Sequence, residues 1–306
     1  MDDKLNVTYI TLVGYAEMGK YRYLFVFIMF TVYILNICFN FTIVSLIWIH
    51  KNLHEPMYVF IAALLLNSIV YNTAMYPKLL INFLSEQQII SYSACLLQCF
   101  VYYFLSASDF LLLSAMAYDR YVSICKPLQY PTIMRKTIVS IILGLAWLVP
   151  ACQIAVPIIL SANMKLCKLT LNAIFCNNSI YSLYCVSSRE RSIFDVFALV
   201  NLALLPLLFI FFTYTRILII SYRSCREVRT KAAQTCLPHL IVLICFSCLC
   251  AYDVIIIQLD LESELHLIMT LQAFLYYPLF NPIIYGLKMK EISKHLKRLF
   301  CQTKVI

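Results

Sequence analysis

The chain has 306 residues, of which 62% are hydrophobic and only 13% are charged, against roughly 45–50% apolar and 25% charged in a typical soluble domain. This composition excludes an ordinary soluble globular domain and predicts helices in lipid, where each helix satisfies its own backbone hydrogen bonds. The net charge of +9 does not indicate nucleic-acid binding, because the basic residues lie between apolar runs, as in membrane proteins.

Seven apolar runs are each long enough to cross a bilayer as a helix, which takes about 20 residues. They lie at 23–49, 57–83, 92–124, 137–160, 191–218, 236–258 and 265–287. After the last run, apolar and basic residues alternate with helical spacing, which predicts a short amphipathic helix on the inner leaflet. The predicted fold class is therefore all-α: a seven-transmembrane helix bundle followed by this helix.

The distribution of basic residues predicts the orientation of the bundle. An odd number of spans places the termini on opposite sides, and most of the 24 lysines and arginines lie on the inner side if the N-terminus is outside. We therefore predict a multi-pass plasma-membrane protein with an extracellular N-terminus (1–22), a transmembrane domain (23–287) and a cytoplasmic helix and tail (288–306). Two sequons then face outwards, which makes Asn6 and Asn177 candidate glycosylation sites.

An Asp119-Arg120 pair stands at the end of the third span, within the string Met116-Ala117-Tyr118-Asp119-Arg120-Tyr121. Alone, such a pair is either an interfacial ion pair with a snorkelling arginine or a functional charge at the membrane boundary. Further strings follow the same order along the chain. They are Leu53–Tyr58, Pro206 with Thr213-Tyr214, Lys231–Cys236 with His239-Leu240, and Pro278–Tyr285.

Together these strings resemble the motifs of vertebrate odorant receptors, a family of rhodopsin-like G-protein-coupled receptors; Glu55 and Ser123 depart from the family pattern. The resemblance implies an odorant receptor that activates a heterotrimeric G protein of the stimulatory olfactory type and raises cAMP. It implies that Asp119 holds Arg120 in the silent state. The implied coupling and activation residues are Asp119, Arg120, Tyr121, Tyr214, Asn281, Pro282 and Tyr285.

The implied partners are a small volatile or water-borne odorant, the G protein, membrane lipid and a trafficking chaperone, with no cofactor and no nucleic acid. The outer halves of the spans are expected to frame the odorant cavity, although plain helix packing is the alternative for each residue. The candidate pocket residues are Tyr102, Tyr103, Ser106, Ala107, Cys250, Ala251 and Val254. Asp109, an acid deep in the third span, is expected to be a hydrogen-bonded structural residue rather than a sodium ligand.

The chain has 14 cysteines, most of them single residues within spans, so Cys245, Cys248 and Cys250 do not indicate a metal site. The resemblance implies two outer disulfides, Cys95–Cys176 and Cys167–Cys185, although four half-cystines alone leave three pairings open. Cys301, at the end of the amphipathic helix, is either palmitoylated or a free thiol.

Two other protein classes were weighed against a receptor. A transporter or channel predicts inverted repeats or pore charges, and a membrane enzyme predicts acids, histidines or a nucleophile and base at one depth. The sequence shows neither pattern, so we predict a protein that is not an enzyme. The chemical class of the ligand, the tissue and the oligomeric state are not predicted, and a receptor of this family used outside the nose stays open.

Overall fold

The computed structural model describes residues 8–14, 22–186, 188–223, 236–237, 239–248, 274 and 279–302. Among these residues, five helices are long and apolar enough to cross a membrane. They are α1 (Arg22–Ile49), α2 (Pro56–Leu84), α3 (Tyr92–Cys125), α4 (Lys136–Ala162) and α5 (Arg189–Tyr222). Each begins and ends within four residues of its predicted span, because the length of an apolar run sets the length of a spanning helix.

The predicted sixth and seventh spans fall only partly within the described residues. Their described portions are helical, as α6 (His239–Cys248) and α7 (279–288). The predicted amphipathic helix is α8 (Lys290–Gln302), which directly follows α7. The all-α fold class is confirmed.

Local sequence explains where several helices begin. Pro56 opens α2, a position where its missing N–H costs nothing. The side chain of Ser91 caps α3 by accepting from the Ala94 N–H at 3.4 Å, and Ser188 caps α5 by accepting from the Arg191 N–H at 3.3 Å. Within α5, a π-helical turn at Val200–Leu204 comes directly before Pro206, which lacks the backbone donor that a regular helix needs.

Burial is concentrated in α2 and α3. Half of the most apolar 18-residue stretch of each is buried, against 17% in α1 and in α4. Two main apolar cores lie along the bundle, an inner one that includes Met116, Phe246 and Tyr285 and an outer one that includes Leu79, Cys95 and Phe175. α2 and α3 therefore form the centre of the bundle, while α1 and α4 expose apolar side chains on their outward faces, which lipid covers in a membrane protein.

A small β-sheet covers the end of the bundle that also holds the outer core, and the sequence did not predict it. Its strands are β1 (Tyr9–Leu12), β2 (Ile89–Ser91) and β3 (Thr170–Leu171), in the order β2-β1-β3. β1 pairs antiparallel with β2 and parallel with β3. The segment before α1 thus joins the loop between α2 and α3 to the loop between α4 and α5.

Candidate ligand and signalling sites

The Asp119-Arg120 pair closes the inner end of α3. The Asp119 side chain is fully buried and that of Arg120 is 12% exposed. Arg120 donates from Nε to Oδ2 of Asp119 at 3.0 Å, and its Nη2 donates to the same oxygen. The second carboxylate oxygen, Oδ1, accepts from the Tyr130 hydroxyl at 2.8 Å. Each oxygen of Asp119 therefore has a donor, which satisfies a buried charge.

Tyr130 belongs to the loop between α3 and α4, and the sequence did not single it out. This loop forms a 3-10 turn at Pro127–Gln129 and a helical turn at Tyr130–Ile133, which bring the phenol back to α3. Burial, and then the negative charge of Asp119, raise the pKa of Tyr130 above its ordinary value. The hydroxyl is therefore protonated at neutral pH and acts as the donor to Asp119.

A second polar contact joins α5 to α6 at the inner end. The Tyr214 hydroxyl is hydrogen-bonded to Nδ1 of His239, and both side chains are buried. Tyr121 packs on the same inner core, as a partly buried residue. Tyr214 and His239 lie 25 residues apart in sequence, so only the fold brings them together.

The predicted residues of α7 line the inner core. Asn281, Pro282 and Tyr285 are all buried. Within the described part of the chain, the Asn281 amide and the Tyr285 hydroxyl have no hydrogen-bond partner. Two polar groups held in this way are costly in one packing, which suits a segment that has a second packing available.

Asp109 is part of a polar connection through the middle of the bundle. Asn67 on α2 donates from Nδ2 to Oδ1 of Asp109 at 2.8 Å and to the Leu105 carbonyl at 2.9 Å. Its own Oδ1 accepts from the Trp147 indole on α4 at 3.0 Å. Asn67 therefore links α2, α3 and α4 through buried polar groups, with Asp109 hydrogen-bonded at its centre.

At the outer end, the predicted pocket residues Tyr102 and Tyr103 lie in an aromatic cluster. The Tyr102 ring lies 4.9 Å from the ring of Phe175 and 6.0 Å from that of Tyr71, centroid to centroid. Phe175 also meets Phe274 edge to face at 5.2 Å. Phe175, which the sequence analysis used only as the neighbour of Cys176, thus stands over the predicted pocket.

The smaller predicted pocket residues lie on the next turn of α3. Ser106 is partly buried, and Ala107 packs in a separate small cluster with Ala198 and Leu202 of α5. This part of α3 therefore faces α5 with short side chains below the aromatic cluster. Cys250, Ala251 and Val254, the pocket residues predicted on the sixth span, lie outside the described residues.

Two disulfides fix the outer loops, and they are the pairs expected from the resemblance. Cys95 is joined to Cys176 and Cys167 to Cys185. The Cys176 N–H also donates to Oε1 of Gln98 at 3.0 Å. Within the described residues, no group of three His, Cys, Asp or Glu side chains is placed to hold a metal ion.

The two sequons have different surroundings. Asn177 is fully buried, and its Oδ1 accepts from the Ser179 N–H at 3.0 Å to cap the 3-10 helix Asn178–Leu183. A glycan needs an accessible amide nitrogen, so the structure argues against Asn177 as a glycosylation site. Asn6 lies outside the described residues, as does the side chain of Cys301.

A family model described as Olfactory receptor matches residues 29–303 of the chain. Olfactory receptor 11H2 of Homo sapiens is 34% identical over 290 residues, covering 92% of this chain and 88% of that receptor. Olfactory receptor 11A1 of Homo sapiens is 31% identical over 304 residues, covering 97% and 95%, and olfactory receptor 6Y1 is 28% identical over 301, covering 97% and 93%. The chain belongs to the olfactory receptor family and is a multi-pass, odorant-sensing G-protein-coupled receptor.

Proposed function

We propose that this receptor binds a small volatile or water-borne odorant in a cavity between the outer halves of its helices and activates the stimulatory olfactory G protein, which raises cAMP. The observation that carries the proposal is the double satisfaction of Asp119 by Arg120 and Tyr130. An ion pair held by a partner from a loop can be kept closed in one packing and opened in another. Such a two-state element is what a ligand-driven switch requires.

The inner surface beside this pair suits a protein partner. Leu128, in the loop between α3 and α4, is 96% exposed, and an apolar side chain held in water at a loop tip favours an interaction site. Arg216 and Arg223 at the inner end of α5 are also exposed, and cationic side chains there attract an acidic partner surface. We propose that Arg120, once released, and Leu128 both contact the G protein.

The outer end suits ligand entry and an extracellular location. Both disulfides lie with the β-sheet at this end, and disulfides persist in oxidising compartments. We therefore propose an extracellular N-terminal part (1–22), a receptor domain (23–287) and a cytoplasmic part (288–306), with glycosylation at Asn6. Lipid contact of α8 through its basic face and help from a trafficking chaperone are part of the same proposal.

The test is cAMP in cells that express the receptor with the olfactory G protein and a chaperone, challenged with a broad odorant panel. Arg120→Ala should abolish the response and Leu128→Ala should reduce it, both at matched surface expression. Ile138→Ala is the matched control, because Ile138 is an exposed residue of α4 near the same end. A response that survives Arg120→Ala unchanged would refute the proposed coupling.

A further inference from the structure

The N-terminal strand β1 is the central strand of the outer sheet. The Thr11 N–H donates to the Leu169 carbonyl and the Leu12 N–H to the Gln88 carbonyl, each at 2.8 Å, and the Val13 N–H donates to the Leu171 carbonyl at 2.9 Å. Successive residues thus bond alternately to the two outer loops. β1 therefore ties together two loops that no other strand connects among the described residues.

One face of β1 is part of the outer core. Ile10 and Leu12 are buried, whereas Tyr9 on the opposite face is 55% exposed. The buried face belongs to the cluster that contains Phe83 of α2 and Phe175 of the second outer loop. A short strand with one buried face and one exposed face lies on a structure as a cover.

The end of β1 fits closely against the second outer loop. A Cβ atom added at Gly14 would lie 2.8 Å from the carbonyl carbon and 3.0 Å from the carbonyl oxygen of Ala173. Backbone atoms cannot move aside as a flexible side chain can, so only glycine permits this approach. Ala173 stands two residues before Phe175, which covers Tyr102 of the proposed odorant cavity.

From these contacts we propose that residues 8–14 form a lid over the outer mouth of the odorant cavity, and that an aqueous molecule enters only when this strand leaves the two loops. The inference rests on the proposed cavity. β1 holds the loop segment that carries Phe175, and Phe175 covers Tyr102. Release of β1 frees that segment and opens a path to Ser106, one turn below Tyr102.

The strand register allows the lid to be locked. Tyr9 stands opposite Ser91. The bonds from Leu12 to Gln88 and from Tyr92 to Thr8 place this pair at a position without mutual hydrogen bonds, where Cα atoms of antiparallel strands lie about 4.5 Å apart. That separation suits a disulfide, so Tyr9→Cys with Ser91→Cys locks the lid. Tyr9→Ser is the matched control.

Gly14→Val loosens the lid, because its side chain displaces the strand from Ala173. Gly144→Ala is the matched control, since a Cβ at Gly144 in α4 meets nothing within 4 Å. All variants are made in receptors that also carry Ser106→Cys, which places a reporter thiol inside the cavity. The described cysteines outside the disulfides lie within helices, and a parent receptor without the Ser106 change gives their background labelling.

The measurement is the rate at which a membrane-impermeant biotin thiosulfonate labels the reporter thiol on intact cells, per receptor at the surface. Labelling should be about tenfold faster with Gly14→Val than with Gly144→Ala, which corresponds to a loss of about 1.4 kcal/mol from the closed lid. The locked variant should label at least about tenfold more slowly than Tyr9→Ser. The assay uses no odorant and no G protein, so it is independent of coupling.

Two other results would overturn the inference, and they are distinguishable. Equal labelling in the locked, loosened and control receptors shows an open cavity that β1 does not cover, which removes the lid and keeps the cavity. A reporter thiol that labels in none of these receptors shows no aqueous path to Ser106, which removes the lid together with the proposed cavity.

Discussion

Asp119→Asn should raise the activity of the receptor in the absence of odorant. The Asp119 carboxylate accepts from Arg120 on Oδ2 and from Tyr130 on Oδ1. An amide has one acceptor oxygen, so asparagine can serve only one of these donors and turns an N–H group towards the other. Whichever way the amide lies, the silent packing loses a hydrogen bond to a charged group and the ion pair itself.

The size of the effect follows from the burial of the pair. Asp119 is fully buried and Arg120 is 12% exposed, so solvent screens their interaction little. A hydrogen bond to a charged group contributes about 1.5–3 kcal/mol, which is roughly a 10- to 150-fold change in the equilibrium between silent and active packings. Basal cAMP should rise until the active packing is no longer rare.

The assay is basal cAMP with the olfactory G protein at matched surface expression. Asp195→Asn is the control, because Asp195 lies 3.9 Å from Arg191 at the outer end of α5 and should leave basal cAMP unchanged. If Asp119→Asn gives basal cAMP equal to that of the unmodified receptor, while both are equally abundant at the surface, the pair does not hold the silent state and the reasoning fails.

Three further results are expected. Cys95→Ser should reduce surface expression more than Cys167→Ser, because the lost cross-links span 81 and 18 residues and constrain the unfolded chain by about 4.5 and about 3 kcal/mol; equal expression by flow cytometry would contradict this. Asn67→Leu should lower the unfolding temperature of purified receptor, since it leaves a buried carboxylate and an indole with one partner fewer, at about 1–3 kcal/mol, and an unchanged temperature would argue against the link. The His295 ring stacks on His50 at 3.8 Å, and burial followed by the charge of His50 lowers the pKa of His295. The stacked state therefore resists protonation, so it should weaken as pH falls below the ordinary value of 6.5, seen as increasing distance between fluorophores on the first inner loop and α8; a His295→Gln receptor should lack this pH dependence.

The spans could be predicted from the sequence because the bilayer imposes one requirement, about 20 apolar residues, that can be counted. The β-sheet could not, since its strands have two to four residues and come from three distant parts of the chain. Such short segments carry no periodic pattern. The sheet is recognisable only once the loops are in place.

The same distinction holds for the candidate sites. The Asp119-Arg120 pair is local in sequence and was predicted, whereas its partner Tyr130 depends on how the loop after α3 folds back. Asn67 is separated from Asp109 by 42 residues and from Trp147 by 80, so no local pattern joins them. Phe175 had a signal, because it precedes a cysteine expected in an outer disulfide.

These contacts divide the bundle into a fixed part and a part that can move. Asn67 joins α2, α3 and α4 through buried hydrogen bonds, and changing their relative positions would leave polar groups unpaired in a lipid-surrounded core. At the inner end, the described polar link between α5 and α6 is the contact of Tyr214 with His239. We therefore expect activation to move α5 and α6 against a stationary frame. Substitutions in the frame should then change expression, and substitutions at Tyr214 or His239 should change basal cAMP at equal expression.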